Sequence, residues 1–122
     1  MTSLLIVDDS KAARMMLKHW LKAIRPKFEI LEASSGEEAV PMISNLPSDS
    51  LAILDYNMPG MNGIELAQKV ALKIPPGRIA LCTANIQETI QRRAIDMGIV
   101  YIGKPLNAGK VNEVITKLEK NG

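Results

Sequence analysis

Aromatic side chains make up only 3% of the 122 residues. So thin a supply excludes a surface built on base stacking, the usual grip on single-stranded nucleic acid. There is one cysteine, Cys82, so no disulfide can form within the chain, which fits a reducing compartment. No apolar run approaches the length of a membrane span. The first such run, Leu4 to Val7, is too short for a signal peptide and ends in two acids. An excess of one charge is also missing: a net +2 gives no reason to expect nucleic acid or a membrane surface as partner. Low-complexity tracts, long repeats and internal linkers are absent. The expectation is a soluble cytoplasmic protein with no membrane insertion and no direct contact with nucleic acid.

What is present is an alternation. The length suits one domain, and a hydrophobic fraction of 47% is enough for a real core. Leu4-Leu5-Ile6-Val7 is wholly apolar, then Asp8-Asp9-Ser10 interrupts it. Lys11 to Arg25 follows with helical phase: Ala13, Leu17, Trp20, Leu21 and Ile24 share a face, Ser10 is an N-cap and Pro26 a stop. Phe28 to Ala33 reads as a second strand, and Ser35 with Glu38 as the capping box of a second helix. Leu51 to Leu54 is a third apolar strand, ending at Asp55. Asn62 with Glu65 opens a third helix whose face is Ile64, Ala67, Val70, Ala71 and Ile74, ended by Pro75-Pro76-Gly77. Ile79 to Cys82 is a fourth strand. Asn85 caps a fourth helix that Gly98 closes. Ile99 to Ile102 is a fifth strand, and Asn107 begins a last helix to about Lys120.

Five strand–helix units in strict alternation predict an α/β fold with a parallel sheet, covered on both faces and joined by right-handed crossovers. One common order for such a doubly wound sheet is 2-1-3-4-5. Pro41 conflicts with the second helix. It removes a backbone donor and presses on the carbonyl of Glu37, so that helix is expected to kink, break or start later.

Ligands of open parallel sheets bind beyond the carboxyl ends of the strands. There the first strand ends at Asp8-Asp9, the third at Asp55 and the fourth at Thr83, and Lys104-Pro105 follows the fifth. Carboxylates about 5 Å apart would repel by roughly 3 kcal/mol per pair at an effective dielectric of ~20. A divalent cation relieves this, and an all-oxygen donor set suits Mg²⁺. Mg²⁺ takes one or two protein carboxylates and leaves another free as a nucleophile. Asp55 is then the nucleophile, Asp8 and Asp9 hold the metal, and Lys104 with the Thr83 hydroxyl binds phosphoryl oxygens. Phosphoryl transfer is mostly positioning and charge neutralisation, so no general base is needed.

The segments Val7-Asp8-Asp9-Ser10, Asp55-Tyr56-Asn57-Met58-Pro59-Gly60-Met61-Asn62-Gly63, Cys82-Thr83-Ala84 and Lys104-Pro105 resemble, in that order, those of bacterial two-component response-regulator receiver domains of the CheY-like, single-domain kind. The resemblance covers nearly the whole chain. It implies a flavodoxin-like (βα)5 fold of three layers, α/β/α, with a five-stranded parallel sheet in the order 2-1-3-4-5. It implies that Asp55 is phosphorylated by a sensor histidine kinase, a phosphotransfer protein or a small phosphodonor. Asp8, Asp9 and Asp55 would be Mg²⁺ ligands, joined by the backbone carbonyl of Asn57. Thr83, Ala84 and Lys104 would bind the phosphoryl group, with Ala84 a small position that keeps the site open. Thr83 and Tyr101 would be the switch pair, read by a downstream protein at the face of helix four, strand five and helix five. Lys104-Pro105 resembles the family's Lys-Pro step, often a cis bond. Asn57 and Asn85 stand two residues after Asp55 and Thr83, where the family tunes dephosphorylation. Asn62 departs from the Asp of many members, but it serves as a helix cap.

Two other classes fit these residues less well. A phosphatase with an Asp nucleophile usually needs a second acid two residues on, and Asn57 cannot serve as one. A flavin or nucleotide module needs a Gly-, Ser- or Thr-rich phosphate loop after the first strand, where Asp8-Asp9 would repel phosphate. The chain therefore reads as no enzyme beyond its own phosphorylation and dephosphorylation. With no effector domain over residues 1–122, a stand-alone regulator is expected; the alternative is a receiver excised from a larger DNA-binding or enzymatic regulator. His19, mid-helix without a partner motif, and Cys82, inside an apolar strand, read as ordinary packing residues.

Overall fold

The computed structural model describes residues 2–84 and 87–121. Its elements are β1 (Ser3–Val7), α1 (Lys11–Ile24), β2 (Glu29–Ala33), α2 (Gly36–Ile43), β3 (Leu51–Asp55), α3 (Gly63–Val70), β4 (Ile79–Thr83), α4 (Glu88–Met97), β5 (Val100–Gly103) and α5 (Ala108–Lys120). The strands form one parallel sheet in the order β2-β1-β3-β4-β5. The parallel sheet is the one the alternation predicts, and the architecture is the flavodoxin-like (βα)5 fold that the resemblance implies.

Strands β1, β3 and β4 are buried along their whole length because helices cover both faces. Successive side chains alternate between those faces. One face carries Leu4 and Ile6, Leu51 and Ile53, Ala80 and Cys82, Val100 and Ile102, packed against Leu17 and Leu21 of α1 and Val111, Val114, Ile115 and Leu118 of α5. The other carries Leu5 and Val7, Ala52 and Leu54, Ile79 and Leu81, under Ala39 and Ile43 of α2, Ile64, Leu66, Ala67 and Val70 of α3, and Ile90 and Ala94 of α4. Thus α1 and α5 form one outer layer, and α2, α3 and α4 the other.

The caps follow the sequence signals. Ser10 accepts the Ala13 N–H at 3.2 Å. Asn62 and Glu65 form a complete capping box, at 2.9 and 3.0 Å. Ser35 accepts the Glu38 N–H at 3.0 Å, but the Glu38 carboxylate reaches back one residue further than a capping box requires, to the Ser34 N–H and hydroxyl. Helix α4 begins at Glu88 with Gln87 at its N-cap, later than the expected start at Asn85, which itself lies outside the described residues. Gly98 closes α4 as expected.

The expectation that Pro41 breaks the second helix or delays its start is corrected. Helix α2 runs unbroken from Gly36 to Ile43 and starts where Ser35 places it, with Pro41 inside. Pro41 and Glu37 are both exposed, so the Glu37 carbonyl, denied its helical donor, can bond to water. Ala39 and Ile43 meanwhile anchor the other side in the core. Replacement of Pro41 by alanine should restore the missing bond and raise stability by about 1 kcal/mol, the helix gain being partly offset by a more flexible unfolded chain. Urea denaturation of the two proteins measures this.

Candidate functional site

The alternation that builds the core also aims the polar residues. Asp8 continues the series Leu4, Ile6; Asp55 continues Leu51, Ile53; Lys104 continues Val100, Ile102. All three therefore follow the stripes that pack on α1 and α5. The register sets their height. Val7 pairs with Leu54, so Asp8 comes level with Asp55, which pairs with Cys82.

The charges meet at this edge. Lys104 Nζ lies 3.1 Å from Asp8 Oδ2 and 3.2 Å from Asp55 Oδ1. Oxygens of Asp8, Asp9 and Asp55 all lie within 4.8 Å of one another. Asp8 and Asp55 are buried, at 3% and 4% exposure, whereas Asp9 faces solvent. Burial raises the Asp55 carboxyl above its ordinary range, and the nearby Asp8 charge adds to this; Lys104 works against both. Burial also opposes the Lys104 charge, but Asp55 and Asp8 outweigh it and the ammonium is held above its usual value. One lysine thus serves two buried carboxylates with a third close by. The donor set is all oxygen, with more negative charge than Lys104 can balance, and it fits a hard divalent cation such as Mg²⁺.

Neighbouring groups brace the first acid. The Ser10 N–H donates to Asp8 Oδ1 at 2.9 Å. Arg14 donates from Nη1 to the Asp8 carbonyl at 2.6 Å and from Nε to Glu32 at 3.0 Å, and Lys18 reaches the other Glu32 oxygen at 2.6 Å. Nothing in the sequence marks Arg14 for this task, since its partners come from the ends of two different strands. Beside the charges a cavity of about 190 Å³ is lined by Asp8, Ala13, Met16, Leu17, Trp20, Lys104 and Leu106.

The remaining residues singled out from the sequence fall as follows. Thr83 is buried at the end of β4 and paired in register with Gly103, immediately before Lys104. Ala84 and Asn57 are exposed in the loops that follow β4 and β3. Tyr101 is half-buried on β5, against the core beneath α2, α3 and α4, on the sheet face opposite Cys82. The Lys104–Pro105 bond is cis.

Comparison with known proteins agrees with this picture. The family model described as the response regulator receiver domain matches residues 4–116. The chemotaxis protein CheY of Listeria monocytogenes is 35% identical over 122 residues, covering 98% of this chain and all of that protein. The positive alginate biosynthesis regulatory protein of Pseudomonas aeruginosa is 29% identical over 97% of this chain but 47% of its own length. The structure of Vibrio cholerae CheY4, crystallised at low pH, superposes with a TM-score of 0.82 at 27% identity, covering 97% of this chain and 98% of that one.

Two outcomes follow from the electrostatics. A carboxyl held above its ordinary range favours the folded state while protonated, and that advantage is lost as pH rises through the folded value. Asp55→Asn should therefore raise the stability of the metal-free protein at neutral pH by about 1 kcal/mol, the scale of one poorly compensated buried polar group. The gain should shrink on acidification, as read by urea denaturation across pH. Burial also pushes the Cys82 thiol up to about 12. It should resist thiol reagents in the native protein at mildly alkaline pH and react fully in denaturant.

Proposed function

The chain belongs to the response regulator receiver domain family, and from that premise we propose that it is a phosphorylation switch whose acceptor is Asp55. CheY-like receivers are signalling domains of two-component systems. The finer reading rests on one observation above all: Lys104 Nζ bridges Asp8 and Asp55 at 3.1 and 3.2 Å, with three carboxylates gathered beside it.

In this reading Asp8, Asp9 and Asp55, with the backbone carbonyl of Asn57, hold Mg²⁺. Bound there, the cation supplies positive charge to the phosphoryl oxygens. An Asp55 oxygen attacks phosphorus and forms the new P–O bond. The bond to the donor, P–N in a phosphohistidine or P–O in acetyl phosphate, breaks as the leaving group keeps its electron pair: the imidazole nitrogen takes a proton as it departs, whereas acetate leaves as the anion. Lys104 stays within reach of both the nucleophile and the developing charge, so little reorganises during transfer. The Thr83 hydroxyl and the main chain at Ala84 bind phosphoryl oxygens from the β4 side. Exposure of Ala84 leaves the entrance open, and the cavity against α1 lies where a donor protein would approach.

The added charge draws Thr83 inward, and Tyr101 follows into the space vacated beside β4. This shifts an existing equilibrium at the face of α4, β5 and α5, where a downstream protein reads the state. The phosphoryl source is a sensor histidine kinase or a phosphotransfer protein, in the cytoplasm. Apart from its own phosphorylation and dephosphorylation the domain catalyses nothing. Full-length correspondence with the Listeria protein supports a stand-alone regulator. The Pseudomonas relative, twice as long, supports the second reading of a receiver within a larger regulator.

Acetyl phosphate with Mg²⁺ should add one phosphoryl group, seen by intact mass. Asp55→Asn should abolish it, and Lys104→Ala should slow it about 100-fold, the scale of losing one preorganised charge-stabilising donor. Unchanged labelling of the Asp55→Asn protein would refute the assignment.

A further inference from the structure

The loop from Tyr56 to Asn62 leaves Asp55 and contains Asn57. Its base is closed by the Tyr56 N–H to the Cys82 carbonyl at 2.8 Å and the Gly63 N–H to the Tyr56 carbonyl at 3.1 Å. Its far end is fixed by the Asn62–Glu65 capping box. The tip is held by a different element. Glu37, in the first turn of α2, accepts the Met61 N–H on Oε2 at 3.1 Å.

Two glycines make this contact possible. Gly60 has φ +75°, in the left-handed region, and a Cβ there would lie 2.7 Å from Glu37 Oε2. The carboxylate therefore rests against the bare side of the turn. Gly36, the residue before Glu37, lies under Met61; a Cβ on it would come within 2.9 Å of Met61 Cβ and Sδ. The start of α2 and the tip of the loop thus interlock through an amide, a carboxylate and two positions without side chains. Glu37 itself is exposed and belongs to neither hydrophobic cluster. Its carboxylate folds over the loop although solvent is available to it.

We infer that Glu37 is a positioning residue for the site: its hydrogen bond to Met61 fixes the loop after Asp55 and, through that loop, the main chain at Asn57. The inference rests on the proposed reading in which the Asn57 carbonyl joins the carboxylates around Mg²⁺. A loop already fixed presents that carbonyl without further ordering, whereas a released loop must be ordered when the cation binds, which weakens affinity. Supporting hydrogen bonds around metals contribute about tenfold or more to affinity. An exposed one belongs at the low end.

The test uses the full chain in three forms: wild type, Glu37→Ala and Glu37→Gln. The glutamine keeps a carbonyl acceptor for Met61 and removes the charge. Mg²⁺ is titrated by calorimetry, and exchange of the Met61 amide is followed by NMR in metal-free protein. Glu37→Ala should weaken Mg²⁺ about tenfold and speed Met61 exchange, while Glu37→Gln stays within about threefold of wild type on both. Equal affinity and exchange in wild type and Glu37→Ala would overturn the inference. So would equal losses in Glu37→Ala and Glu37→Gln, which would assign the effect to charge alone. If wild type bound no Mg²⁺, the proposed function would fail instead, and Met61 exchange would still decide whether Glu37 holds the loop.

Discussion

The architecture turns on one lysine placed between two buried acids. Lys104 reaches Asp8 and Asp55 only because β1, β3 and β5 are parallel and end at matched heights. In isolation neither carboxylate would tolerate 4% exposure or less beside the other. The sheet forces them together, and the ammonium makes the arrangement tenable without making it comfortable. Asp55 keeps a raised proton affinity despite its cationic neighbour. Stability and chemistry therefore pull in opposite directions at this edge, and the two apolar layers supply the margin that lets it exist.

The supporting structure divides by task. The α1/α5 layer sets where the charges stand, because Asp8, Asp55 and Lys104 extend stripes that pack on those helices. The opposite layer governs the loops between them. Helix α2 grips the turn at Gly60 and Met61, α3 starts from the Asn62 cap, and Gly98 ends α4 just before β5. Arg14 ties the carboxyl ends of the adjacent strands β1 and β2 together by bonding both Asp8 and Glu32. Helices on either side thus act on the same few ångströms, α1 and α5 by core packing joined by the Arg14 hydrogen bond, α2 and α3 by hydrogen bonds at the surface.

Much of this was legible in the residues, for identifiable reasons. Continuous apolar runs mark strands buried on both faces, and the caps Ser10, Ser35, Asn62 and Asn107 mark helix starts, so element order could be read directly, whereas the sheet order came with the family resemblance. Strand-end acids follow once the strands are placed. The misreadings came where tertiary context decides. Pro41 argues locally for a break, but its helix is short and its unpaired carbonyl reaches water, so anchoring by Ala39 and Ile43 prevails. The start of α4 does not follow the nearest good capping residue. Arg14 and Glu37 act across 18 and 24 residues of sequence, and no local pattern announces such partners.

The cavity wall has one more consequence. Trp20 is the chain's sole tryptophan, and it stands among Asp8, Lys104 and Leu106. Indole emission is sensitive to the electric field across its ring. Here the molecule carries its own optical gauge, and a change in those charges should be visible as light without any label.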